Sequence, residues 1–147
     1  MKINIQIDES MKETEINISC KSLSKEVEQI ISALRVLNKQ LAGKKQGEVF
    51  LIDLEEIMYL ESVDRKCFFY TDKDVFEADE KLYELEYSLS KEGFVRISKA
   101  CLIQLKHISS IRSEIGQKLR VTMKNGEQII VSRMYAIELK KRLGVNV

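Results

Sequence analysis

The chain of 147 residues has little of what covalent or metal chemistry requires. It has one histidine, His107, and three widely separated cysteines, Cys20, Cys67 and Cys101, with no Cys-x-x-Cys among them. A catalytic nucleophile needs a base and an orienting group, and His107 lies inside the apolar run Leu102–Ile111 with no reason to meet a thiol. A structural histidine is the expectation. Metal sites fail for want of clustered His and Cys. The six glycines, at positions 43, 47, 93, 116, 126 and 144, allow neither a phosphate-cradling glycine-rich loop nor a dinucleotide fingerprint. The carboxylate pairs Glu55-Glu56 and Asp72/Asp74 read as solvated turns, because turns collect Asp for backbone reasons and no spacing fits a calcium loop. These absences exclude the common enzyme classes and predict no cofactor, no metal and no small-molecule substrate.

Long apolar runs are missing too. No segment approaches the ~20 apolar residues of a membrane span, and the opening Met1-Lys2-Ile3-Asn4-Ile5-Gln6-Ile7 alternates where a signal peptide needs an unbroken apolar stretch. Three cysteines leave an odd thiol in any disulfide scheme, so reduced and mostly buried thiols are expected. A soluble, cytoplasmic protein follows as the expectation. The length suits one core with a modest appendage.

What the chain does have is polarised charge. From Glu48 to Glu92 five Lys/Arg stand against fourteen Asp/Glu, and from Gly93 to Val147 eleven stand against three, although the net charge is only +1. Positive potential concentrated on one part of a fold can attract a polyanion, so a near-neutral total does not exclude nucleic acid.

Ile3, Ile5 and Ile7, then Ile16, Ile18 and Cys20, predict two alternating strands around a turn at Asp8-Glu9-Ser10. Ser22 or Ser24 then caps a helix with Val27, Ile30, Leu34, Leu37 and Leu41 along one face, stopped by Gly43. Residues 1–45 therefore read as a small α+β unit, a β-β-helix. Its helix either lies on its own sheet or on the main domain, or forms a dimer seam. After a linker at Lys44-Lys45-Gln46-Gly47, residues 46–147 predict a mainly β domain of antiparallel sheets with two short helices. Its strands are Glu48–Ile52, Ile57–Ser62, Lys66–Thr71, Val75–Ala78, Phe94–Ser98, Leu102–Ser110, Lys118–Lys124 and Glu127–Arg133. One helix starts at Asp79 and carries Leu82, Leu85 and Leu89; the other is capped by Ser132 and turns Leu139 and Leu143 inward. Asn125-Gly126 marks a two-residue hairpin turn that opposes Lys124 to Glu127.

Arg96, Ser98, Lys99, Lys106, Arg112, Arg120 and Arg133 fall at strand ends and connections, where long donors reach phosphates or guanine edges. Lys99 and Arg133 each follow a serine at a strand end and form compact donor sets. Lys140, Lys141 and Arg142 need no ligand, since a helix C-terminus favours cations.

At these residues the sequence resembles the LytTR family of bacterial DNA-binding domains, from about Glu48 to Leu143. The cues are Ile57-Met-Tyr-Leu-Glu-Ser62 before a charged turn, Phe68-Phe-Tyr-Thr71, Leu82-Tyr-Glu-Leu-Glu86, Phe94-Val-Arg-Ile-Ser-Lys99, His107-Ile108, Asn125-Gly-Glu127 and Val131-Ser-Arg133. The resemblance implies an elongated fold of antiparallel sheets whose loops enter successive major grooves of double-stranded DNA, commonly bending it, with two molecules on a tandem site. It places contacts at Asp64-Arg65-Lys66-Cys67, at Arg96-Ile97-Ser98-Lys99 and at Ser132-Arg133-Met134-Tyr135. Arg65, Lys66, Ser132 and Tyr135 thereby join the candidate set. The whole arrangement also resembles small stand-alone regulators of this family, often paired with a membrane protein that would act as a regulatory partner. Most members carry a phosphorylatable receiver; the first forty-seven residues are too short for one. Gln104 replaces a usual Asn, and Met134 replaces a basic side chain of some members, leaving more of the third loop to Arg133.

The expectation is a homodimeric, sequence-specific transcriptional regulator, with Lys106, Arg112 and Arg120 on phosphates and Lys99 and Arg133 on bases. The rival is a protein-interaction module whose basic face binds an acidic partner.

Overall fold

The computed structural model describes residues 1–147. Helix α1 (Lys25–Leu37) leads into strands β1 (Gln40–Lys45), β2 (Glu48–Asp53), β3 (Tyr59–Val63), β4 (Lys66–Tyr70) and β5 (Val75–Ala78). Helix α2 (Leu82–Ser88) follows, then β6 (Phe94–Ser98), β7 (Cys101–Gln104), β8 (Ile108–Glu114), β9 (Lys118–Met123), β10 (Gln128–Val131) and helix α3 (Arg133–Leu143). The strands form a seven-stranded sheet ordered β2-β1-β5-β4-β3-β7-β6 and a three-stranded sheet ordered β10-β9-β8. Every pairing is antiparallel.

Side chains that alternate along a strand point to opposite faces, and the central strands use this to serve two cores. Leu60, Phe69, Phe94 and Leu102 join Val36 of α1 and Leu82, Leu85 and Leu89 of the α2 segment in the first. Val95, Ile97 and Ile103, from the other face, join Leu119, Val121, Met123 and Val131 of the small sheet and Ala136 and Leu139 of α3 in the second. β7 is buried along its whole length, which is why Cys101–Ile103 shows no polar alternation.

Several expectations are corrected. Ile3–Ile7 and Ile16–Cys20 form no strands; the turn does form, with the Ser10 backbone N–H donating to Asp8 Oδ1 at 3.0 Å. Helix α1 stops at Leu37, capped by Asn38, and Lys39 takes the left-handed conformation at φ 60°. Leu41 therefore lies in β1, and Leu37 is exposed. Gly43 is not a helix stop: it lies in β1, where an added Cβ would stand 2.6 Å from Phe76 Cβ and closer still to the Phe69 ring. The expected linker is a tight turn at Gln46-Gly47 joining β1 to β2, both residues with positive φ, and β1 continues into the main sheet through Lys44 opposite Glu77. The expected strand Leu102–Ser110 is two strands separated by a 3-10 turn at Leu105–His107. At Asn125-Gly126 the register differs by one: Gln128 faces Thr122, and Met123 and Glu127 close a three-residue loop with Gly126 at φ 92°. That is a type I turn completed by a left-handed glycine, the three-residue alternative to the two-residue hairpin.

His107 is structural as expected, its Nε2–H donating to the Glu55 carbonyl at 2.6 Å. Buried Gln104 likewise donates Nε2–H to the Leu54 carbonyl at 3.1 Å, tying β7 to the turn after β2.

Candidate nucleic-acid interface

β3 and β7 run antiparallel with Glu61 opposite Cys101, and the Ser62 N–H donates to the Ala100 carbonyl at 2.8 Å. The β3–β4 turn and the β6–β7 turn are thus held at the same end of the large sheet. The β10–α3 junction is drawn to that end by Ser132, whose N–H donates to the Ile97 carbonyl at 3.1 Å and whose Oγ–H donates to the same oxygen at 3.5 Å. Ser132 occupies the N-cap position of α3, yet its hydroxyl serves this link rather than capping its own helix, which corrects the expected cap.

Ser98, Lys99, Gly116, Lys118, Ser132, Arg133, Met134 and Tyr135 line one open cleft of about 500 Å³. The second and third contact segments therefore meet, and the start of β9 contributes a cation, Lys118, absent from the sequence-derived set. Its signal was present: a basic residue at the start of a strand, straight after Gly116-Gln117. Arg65 and Lys66 stand exposed on the neighbouring turn. Asp64 and Arg65 hold φ of 50° and 66°, the left-handed pair that a two-residue hairpin requires. Lys81 Nζ fixes that turn by donating to the Arg65 carbonyl at 3.0 Å.

Lys99, Lys118, Arg133, Arg65 and Lys66 take part in none of the ion pairs of the fold. Arg133 is also the first residue of α3, at the positive end of the helix dipole, where a cation is disfavoured. Exposed backbone N–H groups at that end favour an anion, so Arg133 adds charge to a place already fit for one.

Other expected contacts are placed differently. Arg96 is committed to its own loop: Nε–H donates to the Ser98 carbonyl at 2.8 Å, one NH2 hydrogen goes to the Lys99 carbonyl, and NH1 pairs with Glu86 at 2.7 Å. A β-bulge between Arg96 and Ser98 re-aims this strand end, and the guanidinium holds it there. Lys106 lies at the far end of β7, where it pairs with Glu55 at 3.3 Å in a cleft that also holds Lys39, Asp53 and Glu92. The structure does not bring it to the loop cleft, because Leu105–His107 turns the chain away after β7. Arg112 and Arg120 face each other across β8 and β9 and share Glu114, at 3.5 and 2.5 Å. The Arg120 hydrogen bond holds the Glu114 carboxyl below its ordinary range, with Arg112 adding to the effect. Arg112 remains largely exposed. Tyr135 is half-buried in the second core while lining the cleft.

Comparison with known proteins adds independent findings. The family model of the LytTr DNA-binding domain matches residues 47–144. An uncharacterized HTH-type transcriptional regulator of Staphylococcus aureus is 27% identical over 147 residues, covering 99% of each chain. The sensory transduction protein LytT of Bacillus anthracis is 30% identical over 106 residues, 72% of this chain and 43% of that one. Among solved structures, a LytTr DNA-binding domain from Bacillus cereus superposes with a TM-score of 0.69 at 27% identity, covering 73% of this chain and 98% of that one. The chain carries a DNA-binding domain of mainly antiparallel β type. It belongs to the LytTr DNA-binding domain family, which is not an enzyme class. No two of its helices are consecutive in the chain, so the fold contains no helix-turn-helix.

Proposed function

We propose that this chain regulates transcription by binding double-stranded DNA sequence-specifically through the β3–β4, β6–β7 and β10–α3 loops. The observation that carries the reading is the group of cations without carboxylate partners, Lys99, Lys118, Arg133, Arg65 and Lys66, on loops gathered at one end of the sheet. Unpaired cations of this kind release condensed counterions from the duplex on binding.

The loops enter successive major grooves. Lys99 and Arg133 reach base edges, where Arg or Lys read guanine O6 and N7. Lys118 shares their cleft, Arg65 and Lys66 stand on the neighbouring turn, and Arg112 and Arg120, on the small sheet, meet phosphates. Arg96 is a positioning residue: it holds the Ser98–Lys99 backbone on which the readout rests. Two molecules occupy a tandem site, and the protein works in the cytoplasm, where its DNA lies. A membrane protein is the regulatory partner that the resemblance implies.

The test is competition binding, with the protein titrated onto its own upstream DNA at near-physiological salt against an unrelated duplex of equal length. A preference of about a hundredfold or more supports sequence-specific regulation. Equal weak binding to both duplexes refutes it and turns attention to an acidic protein partner for the same cations.

A further inference from the structure

Two features of the chain fit each other and are not used by the DNA-facing loops. One is the free edge of the large sheet. The edge at β6 is covered, since Ser132 bonds to the Ile97 carbonyl and α3 packs along that strand. The edge at β2 is open. In β2 the closing pair Lys45–Glu48 and the pairs Gly43–Phe50 and Leu41–Ile52 turn alternate residues toward β1. The backbone groups of Val49, Leu51 and Asp53 therefore point outward, to an empty edge. Exposed edges are ordinarily blunted by lysine, proline or a bulge. Glu48-Val-Phe-Leu-Ile-Asp53 has none of these, and Val49 and Leu51 are 61% and 55% exposed.

The other feature is the arm, residues 1–24. Ile3, Ile5 and Ile7 alternate with polar residues, as a strand with one buried face would, yet they are 77%, 83% and 90% exposed. Ile16 is 61% exposed. In the single chain this β-patterned arm thus lies free while a strand-long apolar edge stands empty beside α1 and β1. Family membership does not account for the arm, because the family match begins at residue 47. The Staphylococcus aureus relative nevertheless aligns over 99% of both chains, so the arm is no stray extension.

We propose that two copies of this chain exchange arms, the Ile3–Ile7 run of each adding as a strand to β2 of the other. Backbone hydrogen bonds along the edge give affinity, as in β-strand addition generally. With Ile3, Ile5 and Ile7 on the face that carries Val49 and Leu51, apolar side chains meet across the new pairing. The exchange is reciprocal, so the interface closes on two chains and the edge cannot propagate. Each chain contributes the five residues Ile3–Ile7 and the six of β2, a small interface whose affinity rests on backbone pairing at both edges. The proposal deepens the tandem-site part of the function above and rests on that reading only for its purpose.

Analytical ultracentrifugation of the full chain without DNA tests it. The wild type is expected to sediment as a dimer at micromolar concentration. The variant Ile3→Ser/Ile5→Ser/Ile7→Ser and the single variant Leu51→Asp are each expected to be monomeric and folded, with circular dichroism changed only by the loss of the added strand, because these side chains are exposed in the single chain. A monomeric wild type, or variants that remain dimeric, overturns the proposal. A second measurement mixes a chain carrying Ile5→Cys with one carrying Leu51→Cys, both with Cys20→Ser. An interchain disulfide is expected. If instead a chain carrying both cysteines forms the disulfide within itself at high dilution, the arm belongs to its own edge and the exchange is wrong. Neither readout involves DNA, so failure here is separate from failure of the competition assay.

Discussion

The Ser132 N–H donates to the Ile97 carbonyl at 3.1 Å, and this link joins two segments far apart in sequence so that Lys99 and Arg133 open onto the same cleft. Neither has a carboxylate partner. Arg133→Ala and Lys99→Ala should each weaken binding to the specific site by about 1–3 kcal/mol while changing nonspecific binding less. Because the two share a cleft, the double variant should fall short of additivity. Competition titration of the four proteins against specific and random duplexes measures both effects. Unchanged specific binding in Arg133→Ala sinks the readout assignment.

Arg112 should behave differently. It is 68% exposed, lies on the small sheet, and its one ion pair, to Glu114, is long at 3.5 Å. A phosphate contact carries no sequence information. Arg112→Ala should therefore weaken all duplexes alike and reduce the slope of log K against log salt by about one. A change in sequence preference without a change in slope counts against this role.

How far these positions could be read beforehand depended on whether a local pattern had one physical cause. Val75–Ala78 and Phe94–Ser98 were legible to the residue because short apolar segments were bounded on each side by Asp- and Gly-containing turns or polar residues. Cys101–Ser110 was not, since β7 is buried on both faces and its apolar run continues into the turn that carries His107. The helical spacing of Leu34, Leu37 and Leu41 continued past the true helix end, because Leu41 joins Val36 of α1 in the first core from a strand while Leu37 is exposed. In the arm, alternation predicted strands that do not form in the single chain, where Ile3, Ile5 and Ile7 stay exposed. At the interface, Lys99 and Arg133 were visible as cations at strand ends, Arg65 and Lys66 entered only through the family resemblance, and Lys118 was not singled out. The inward commitment of Arg96 was not visible, since it depends on a bulge and on Glu86 of α2.

That commitment makes Arg96 testable as a positioning residue. Arg96→Ala removes bonds to two carbonyls and to Glu86 and leaves the bulged turn unsupported. It should cost about 1–3 kcal/mol of stability, as charged hydrogen bonds at a half-buried site do, and weaken DNA binding in folded protein through Lys99. Arg96→Lys keeps the charge but cannot reproduce the fork, so it should rescue little. Recovery of full affinity in Arg96→Lys would show that charge alone matters there. Denaturant unfolding beside DNA titration separates the two roles.

Gly43 offers a test of packing that is independent of DNA. Its φ is not in the left-handed region, so alanine is conformationally acceptable and the objection is space. A Cβ would collide with Phe76 Cβ and the Phe69 ring, and both rings are locked in the first core. Overpacking at such a site costs about 1–3 kcal/mol. Gly43→Ala should lower the denaturant midpoint with an unchanged m-value. Gly47→Ala, where nothing stands within 4 Å, would report backbone strain alone.

The thiols give a prediction with a defined pH sign. Cys20 is exposed, whereas Cys67 and Cys101 are buried, and burial pushes both of their pKa values up to about 12. Nearby Glu80 for Cys67, and Glu61 for Cys101, act in the same direction. A thiol whose folded pKa lies above its unfolded value stabilises the fold fully below the unfolded pKa and loses that contribution as pH rises through the folded one. Stability from these two sites should thus be flat at neutral pH and decline from about pH 8.5, the unfolded thiol value, toward 12. At neutral pH a thiol-alkylating reagent should modify Cys20 at once in native protein, and Cys67 and Cys101 only as fast as the sheet opens. Mass spectrometry of partially alkylated protein at neutral pH distinguishes the cases: one adduct per chain is expected. Prompt labelling of Cys67 would mean that the β4–β5 region opens far more readily than its burial in the first core requires.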